Sequence, residues 1–179
     1  CPDTSPRGDH VPDEKNNWQF GSGAGFYLDA TESPYKKNYN MYTYLTDELP
    51  KLVENNFDFD MSRQSIFGHS MGGHGAMIIA LRHPKKYKSC SAFAPIVEPS
   101  TASWSSEAFK KYIGSNKDDW DMYDSVALIK NGYRFPEILI DQGEADSFLE
   151  EGLRPWLLEE ACKNTGIKLN LRMQPNYDH

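Results

Sequence analysis

Residues 65–73 read Ser65-Ile66-Phe67-Gly68-His69-Ser70-Met71-Gly72-Gly73, and the fold can be worked outward from them. They contain the pattern Gly-x-Ser-x-Gly at Gly68, Ser70 and Gly72. Glycine and serine are common, so the spacing alone says little. The setting says more. Ser65–Phe67 predicts a short strand, and Met71–Arg82, carrying Ala76, Ile79 and Ala80, predicts a helix that ends before Pro84. A serine on such a strand–turn–helix corner has its hydroxyl lifted above the sheet. Gly68 and Gly72 lack a Cβ and so would let strand and helix approach closely. Met71 opens the helix, with its N–H aimed at a developing oxyanion and the helix N-terminus favouring negative charge. Ser70 is therefore the candidate nucleophile and Met71 the candidate oxyanion-hole donor.

A serine hydroxyl needs a base, and the base needs a carboxylate to orient it. At corners of this kind the chain order is Ser, then Asp or Glu, then His. His10 and His69 precede Ser70, and His74 and His83 lie on the corner helix, before any plausible acid loop. Only His179 has the right order. The acid belongs on a loop after a strand, and Ile138-Leu139-Ile140 predicts a buried strand followed by Asp141-Gln142-Gly143-Glu144-Ala145-Asp146. Asp146, beyond the Gly143 turn, is the candidate, with Asp141 and Glu144 as alternatives. The gap from Asp146 to His179 holds one helix and one strand, which places His179 on the loop after that strand.

The rest of the chain predicts a sheet around this corner. Tyr39–Asn56 reads as a helix with a kink or break at Pro50, and Cys90–Ala94 as a strand ending at Pro95. Ser105–Tyr112 and Asp119–Lys130 read as weaker helices. Glu151–Asn164 reads as an amphipathic helix closed by Gly166, and Ile167–Met173 as a last strand. Strands alternating with helices imply an α/β fold, a mainly parallel sheet with helices on both faces. Cys1–Lys37 reads as loop, with a flexible Gly21-Ser22-Gly23-Ala24-Gly25 turn flanked by Trp18, Phe20, Phe26 and Tyr27.

The 179 residues suit one domain, and 39% hydrophobic and 13% aromatic content suffices for a core. No apolar run approaches the ~18 residues of a membrane span. With 19 Lys and Arg against 26 Asp and Glu, the net charge is −7. That argues against nucleic acid or an anionic membrane as the main partner. Cys1, Cys90 and Cys162 form no disulfide framework and no pair with zinc-ligand spacing, which fits a reducing compartment.

Several stretches together resemble the S-formylglutathione hydrolase (esterase D) family. They are Cys-Pro-Asp-Thr-Ser-Pro-Arg-Gly, Gly-Ser-Gly-Ala-Gly-Phe-Tyr-Leu-Asp-Ala-Thr, Gly-His-Ser-Met-Gly-Gly-His-Gly-Ala, Ser-Ala-Phe-Ala-Pro-Ile, Ile-Asp-Gln-Gly-x-x-Asp and Tyr-Asp-His. The resemblance runs from residue 1 to residue 179. It implies an α/β-hydrolase fold, a cytosolic setting and a homodimer. It also implies thioester hydrolysis of S-formylglutathione with side activity on small esters, and no metal or organic cofactor. By motif it places the triad at Ser70, Asp146 and His179. Trp18, Phe20 and Trp104 are candidate walls of the substrate pocket. A carboxylesterase or acyltransferase of the same superfamily is the alternative. The family pattern has more chain than this, with an early strand and loop supplying a second oxyanion donor and a helix after the histidine. Residues 1–179 are thus expected to form a partial hydrolase domain with exposed sheet edges, inactive or nearly so on its own.

Overall fold

The computed structural model describes residues 2–14 and 17–179; Cys1, and with it the start of the first family stretch, lies outside the described residues. Helices α1 (Met41–Thr43) and α2 (Leu49–Asn56) precede strand β1 (Gln64–His69). Helix α3 (Met71–Arg82) leads to β2 (Tyr87–Phe93). Helices α4 (Ser103–Ile113) and α5 (Ser125–Lys130) lead to β3 (Glu137–Gly143), and α6 (Pro155–Cys162) leads to β4 (Lys168–Gln174). The four strands form one parallel sheet in the order β1-β2-β3-β4. Gly68 pairs with Ala92, Ala92 with Ile140, and Ile140 with Leu171, so the carboxyl ends line up along one border of the sheet. This is an α/β-hydrolase fold.

Consecutive parallel strands joined by crossovers of one hand put their helices on the same side. Helix α3 accordingly packs on α5, and α5 on α6. They bury Cys90, Ala92, Ile138 and Ile140 under Met77, Ile78, Leu81, Val126, Leu128 and Leu158. Helices α3, α5 and α6 are thus gathered on one face, while α4, in the same crossover as α5, packs into a separate core. The other face carries charge: Arg172 pairs with Asp141, and Lys168 with Glu137. β1 is the outer strand, its Phe67 is 69% exposed, and a groove of about 860 Å³ lined by Leu49, Val53, Ile66 and Tyr87 runs beside it.

A second core forms from the segment read as loop. Phe20 stacks on Tyr112 at 4.4 Å and meets Tyr35 edge-on at 4.8 Å, and Phe26 meets Phe109 edge-on at 5.7 Å. The Tyr112 hydroxyl donates to the Ala24 carbonyl at 2.8 Å and accepts from the Gly21 N–H at 3.0 Å. The glycine turn is therefore fixed rather than flexible. A Cβ on Gly23 would sit 2.6 Å from the Trp18 carbonyl oxygen, and one on Gly25 the same distance from that of Thr4.

Three helices differ from their sequence patterns, each for a local reason. The helix expected over Tyr39–Asn56 passes through a wide π-turn at Tyr44–Glu48 before α2. Pro50 has no N–H to give the Thr46 carbonyl, which accepts from Lys86 Nζ at 2.8 Å instead. The helix expected over Asp119–Lys130 shrinks to α5 after two 3₁₀ turns, because Asp124 caps it, its carboxylate accepting from the Ala127 N–H at 2.9 Å. The helix expected over Glu151–Asn164 breaks at Arg154, which takes a left-handed conformation (φ 47°) where the following Pro155 disfavours the helical one. It also stops at Cys162, before the turn that holds Asn164 and Gly166.

At the corner, close approach rests on Gly68 as expected, but not on Gly72. A Cβ on Gly68 would overlap the Gly72 carbonyl, whereas one on Gly72 meets nothing nearer than the Tyr27 hydroxyl at 3.8 Å. The helix glycines that packing requires are Gly73, against Pro95 at 2.9 Å, and Gly75, against the Tyr27 ring at 2.5 Å. Gly68→Ala is expected to lower stability by roughly 1–3 kcal/mol through overpacking. Gly72→Ala is expected to be neutral or to gain roughly 0.5–1 kcal/mol from helix propensity. Thermal and urea unfolding of the two variants side by side tests the contrast; equal losses would contradict it.

Candidate active site

Ser70 sits between β1 and α3 with φ 55° and ψ −119°. A non-glycine residue persists there only when its surroundings hold it. Its N–H donates to the Phe93 carbonyl at 2.8 Å, and its own carbonyl accepts from the His74 N–H at 3.0 Å and the Ile96 N–H at 3.4 Å. β2 and the loop after it thus clamp the corner. Met71 is the first residue of α3, so its N–H has no acceptor within the helix and faces out from the N-terminal end.

The other two candidates arrive from the carboxyl ends of β3 and β4. Gly143 ends β3, and a Cβ there would overlap the carbonyls of Tyr177 and Asp178. Its role is to let the last residues cross the strand end, rather than to make the turn. The crossing is pinned by the Glu144 N–H on the Gln174 carbonyl at 3.0 Å and the Ala145 N–H on the Tyr177 carbonyl at 2.9 Å. It delivers His179 to Asp146 and Ser70.

His179 Nδ1 lies 2.7 Å from Asp146 Oδ2, and its Nε2 lies 2.8 Å from Ser70 Oγ. A carboxylate only accepts, so Nδ1 carries the proton and donates to Asp146. Nε2 is left to accept from the serine hydroxyl, which is the tautomer a general base needs. Asp146 is 6% exposed and also accepts from the Phe148 N–H at 2.8 Å. The alternative acids are elsewhere. Asp141 is taken up by Arg172 and by Gln174 Nε2 at 2.7 Å, which together hold its carboxyl below the usual carboxylate range. Glu144 is exposed, and the His179 Nδ1 partner is Asp146.

The pocket candidates divide. Trp18, 61% exposed, lies 6.0 Å from Trp104 and 6.1 Å from Phe148, and Phe148 meets the His179 ring edge-on at 5.1 Å. Trp18 and Trp104 therefore belong to an aromatic cluster that reaches His179 through Phe148. Phe20 does not: at 2% exposed it is a core residue and presents no surface to a ligand. Sequence reasoning missed Phe148, whose only signal is its position two residues after Asp146. It also missed His69, whose ring lies 4.6 Å from that of His179. Burial, and then the neighbouring His179, lower the pKa of His69.

His74 is fully buried behind the site. Its Nε2–H donates to the Phe26 carbonyl at 3.0 Å, tying the aromatic loop to α3. Its Nδ1 has no partner among the described residues, and burial holds its pKa down at about 4. Cys90 and Cys162 are free and buried, and burial pushes both thiols up, Cys90 to about 12, which disfavours the thiolate a nucleophile needs. Among the described residues no three metal-ligating side chains cluster, and no helix is long and apolar enough to cross a membrane.

The family model described as "Putative esterase" matches residues 1–179. S-formylglutathione hydrolases of Bos taurus and Mus musculus are each 51% identical to this chain over 182 residues, covering 100% of it and 64% of their own length. The chain thus spans a little under two thirds of these curated relatives. The solved structure of an S-formylglutathione hydrolase from Agrobacterium tumefaciens is 65% identical and superposes with a TM-score of 0.99, over 100% of this chain and 65% of that one.

The neutral His74 makes stability depend on pH. Its folded pKa is depressed, so the unfolded chain binds the extra proton first. Its contribution is complete above about 6.5 and is lost as pH falls toward about 4. His69 and His83, also lowered, act in the same direction. Urea unfolding at pH 7 and pH 4.5 should differ by about 2–3 kcal/mol on account of His74. His74→Gln should remove most of that difference, and an unchanged pH dependence in the variant would contradict the assignment.

Proposed function

The chain belongs to the esterase family, and from that premise we propose that it is a serine hydrolase that cleaves S-formylglutathione to formate and glutathione. The observation that carries the reading is the continuous relay from Asp146 through His179 to Ser70, at 2.7 and 2.8 Å. The names of its relatives support the substrate.

In this reaction Ser70 Oγ attacks the formyl carbonyl as its proton passes to His179 Nε2. Asp146, buried and fixed by its donors, keeps Nδ1 protonated and stabilises the imidazolium. The Met71 N–H, at the positive end of α3, donates to the oxyanion. The imidazolium then returns the proton to the departing sulfur, and glutathione leaves as the thiol. A water, deprotonated by the same Nε2, cleaves the formyl-serine and releases formate. A formyl group needs almost no acyl pocket, so crowding at Ser70 would select for it. Trp104, Trp18 and Phe148 are the wall we assign to the glutathione side. On this reading the reaction completes glutathione-dependent formaldehyde removal. The same family resemblance extends the proposal to a homodimer and a cytoplasmic setting, with which the two free thiols agree.

A fluorophosphonate probe should label the whole protein, and Ser70→Ala should abolish both labelling and hydrolysis, whereas residues 1–179 alone should turn over slowly or not at all. Asp146→Asn should lower kcat by roughly 10⁴-fold through the wrong histidine tautomer. Formyl thioesters should be cleaved faster than long-chain acyl esters. Labelling that survives Ser70→Ala would overturn the serine mechanism, and a long-chain preference or net transfer to an alcohol would overturn the substrate assignment.

A further inference from the structure

The buried face of β3 runs Ile138, Ile140, Gln142, and its periodicity calls for an apolar side chain at the third position. Gln142 is instead an amide with no exposure. Its Nε2 donates to Asp146 Oδ2 at 3.1 Å and to the Gly143 carbonyl at 3.1 Å. Its Oε1 is buried and has no partner among the described residues. For stability alone this is a poor choice, since an orphaned acceptor is penalised where an apolar side chain of similar length would not be. A local rule broken in this way marks a position held for another reason.

The reason lies at Asp146. Oδ2 receives two donors, His179 Nδ1–H at 2.7 Å and Gln142 Nε2–H at 3.1 Å, while Oδ1 receives the Phe148 N–H. We propose that Gln142 is a positioning residue for the reaction: it fixes the Asp146 carboxylate from behind and takes a share of its charge, setting how strongly that carboxylate pulls on His179. The inference rests on the serine-hydrolase reading above. Without the amide, the carboxylate loses a charge-assisted hydrogen bond and is freer to rotate away from Nδ1. While it stays in place, a carboxylate without this donor keeps more of its charge for the imidazolium, which raises the pH at which the base becomes available. The other titratable group at the pair is His69, ring to ring with His179; Asp141 faces the opposite side of the sheet, toward Arg172 and Gln174.

The test is Gln142→Met and Gln142→Glu beside the wild-type chain and Ser70→Ala, with a formyl thioester and a small acetate ester as substrates. Gln142→Met should lower kcat roughly 10- to 100-fold, the worth of one hydrogen bond to a charged group. KM should stay within about twofold, and the acidic limb of kcat/KM should move to higher pH. Its melting temperature should be unchanged or raised, because the orphaned Oε1 is gone. The low-field proton resonance of His179 Nδ1–H should shift. Gln142→Glu keeps a donor only while its carboxyl is protonated, so its activity should fall as pH rises, the reverse of Gln142→Met. A Ser70-dependent rate with an unmoved limb in both variants, or loss of activity only in step with loss of fold, overturns the inference and leaves the serine-hydrolase reading intact. Activity that survives Ser70→Ala overturns both.

Discussion

The structure turns on one strained residue. Ser70 holds φ 55° at the junction of β1 and α3, a conformation that costs on the order of 1–3 kcal/mol and must be enforced from outside. Enforcement comes from the close approach of strand end to helix start, possible because Gly68 has no Cβ to strike the Gly72 carbonyl. It comes also from β2, whose Phe93 carbonyl receives the Ser70 N–H, and from the loop after β2, whose Ile96 N–H bonds the Ser70 carbonyl. Helix α3 can lie that near the sheet only because Gly73 meets Pro95 and Ala92 without a side chain of its own. The buried run Ala76–Leu81 follows from the same placement, because a helix started so close to the sheet lies down along it.

A parallel sheet then determines where the partners of Ser70 can come from. All four strands end on the same border, so the loops after β1, β3 and β4, which carry the three candidates, open there together with the loop after β2. Asp146 is buried on the loop after β3, and His179 is carried to it on the loop after β4 by the crossing over Gly143. The order of the bonds follows from the acceptor-only chemistry of a buried carboxylate. Asp146 fixes the proton on Nδ1, and that leaves Nε2 facing the serine. Geometry and tautomer are thus settled by burial on one side and by backbone clamps on the other.

These two constraints explain what could be read in the sequence. Gly68, Ser70 and the apolar run after them announced the corner, because a tight strand–helix junction has few chemical solutions. The acid and base followed from chain order, because the topology places their loops after the serine in a fixed succession. What stayed hidden depends on partners distant in sequence. Nothing near Pro50 says that Lys86 will satisfy the Thr46 carbonyl, and nothing near Phe20 says that Tyr112 and Tyr35 will enclose it. That α3, α5 and α6 share one layer depends on strand order, which periodicity does not encode. Gln142 stands in the Ile-Asp-Gln-Gly stretch, yet its bond to Asp146 emerges only when the strand alternation and the Asp146 carboxylate are seen together.

The unsatisfied groups complete the picture. Among the described residues, the buried side-chain polar atoms without a partner are His74 Nδ1, Gln142 Oε1 and Arg154 Nε. Each belongs to a segment that supports the candidate site. His74 lies one helical turn after Ser70 and ties down the loop carrying Phe26. Gln142 lies behind Asp146. Arg154 ends the turn that follows Phe148, and its guanidinium holds the Glu98 carbonyl and the Thr101 hydroxyl of the loop after β2. A chain selected for stability alone would replace such groups with apolar ones or supply their missing partners. Their concentration behind one strained serine is what a fold shows when it gives up stability locally to hold side chains in a fixed reactive arrangement.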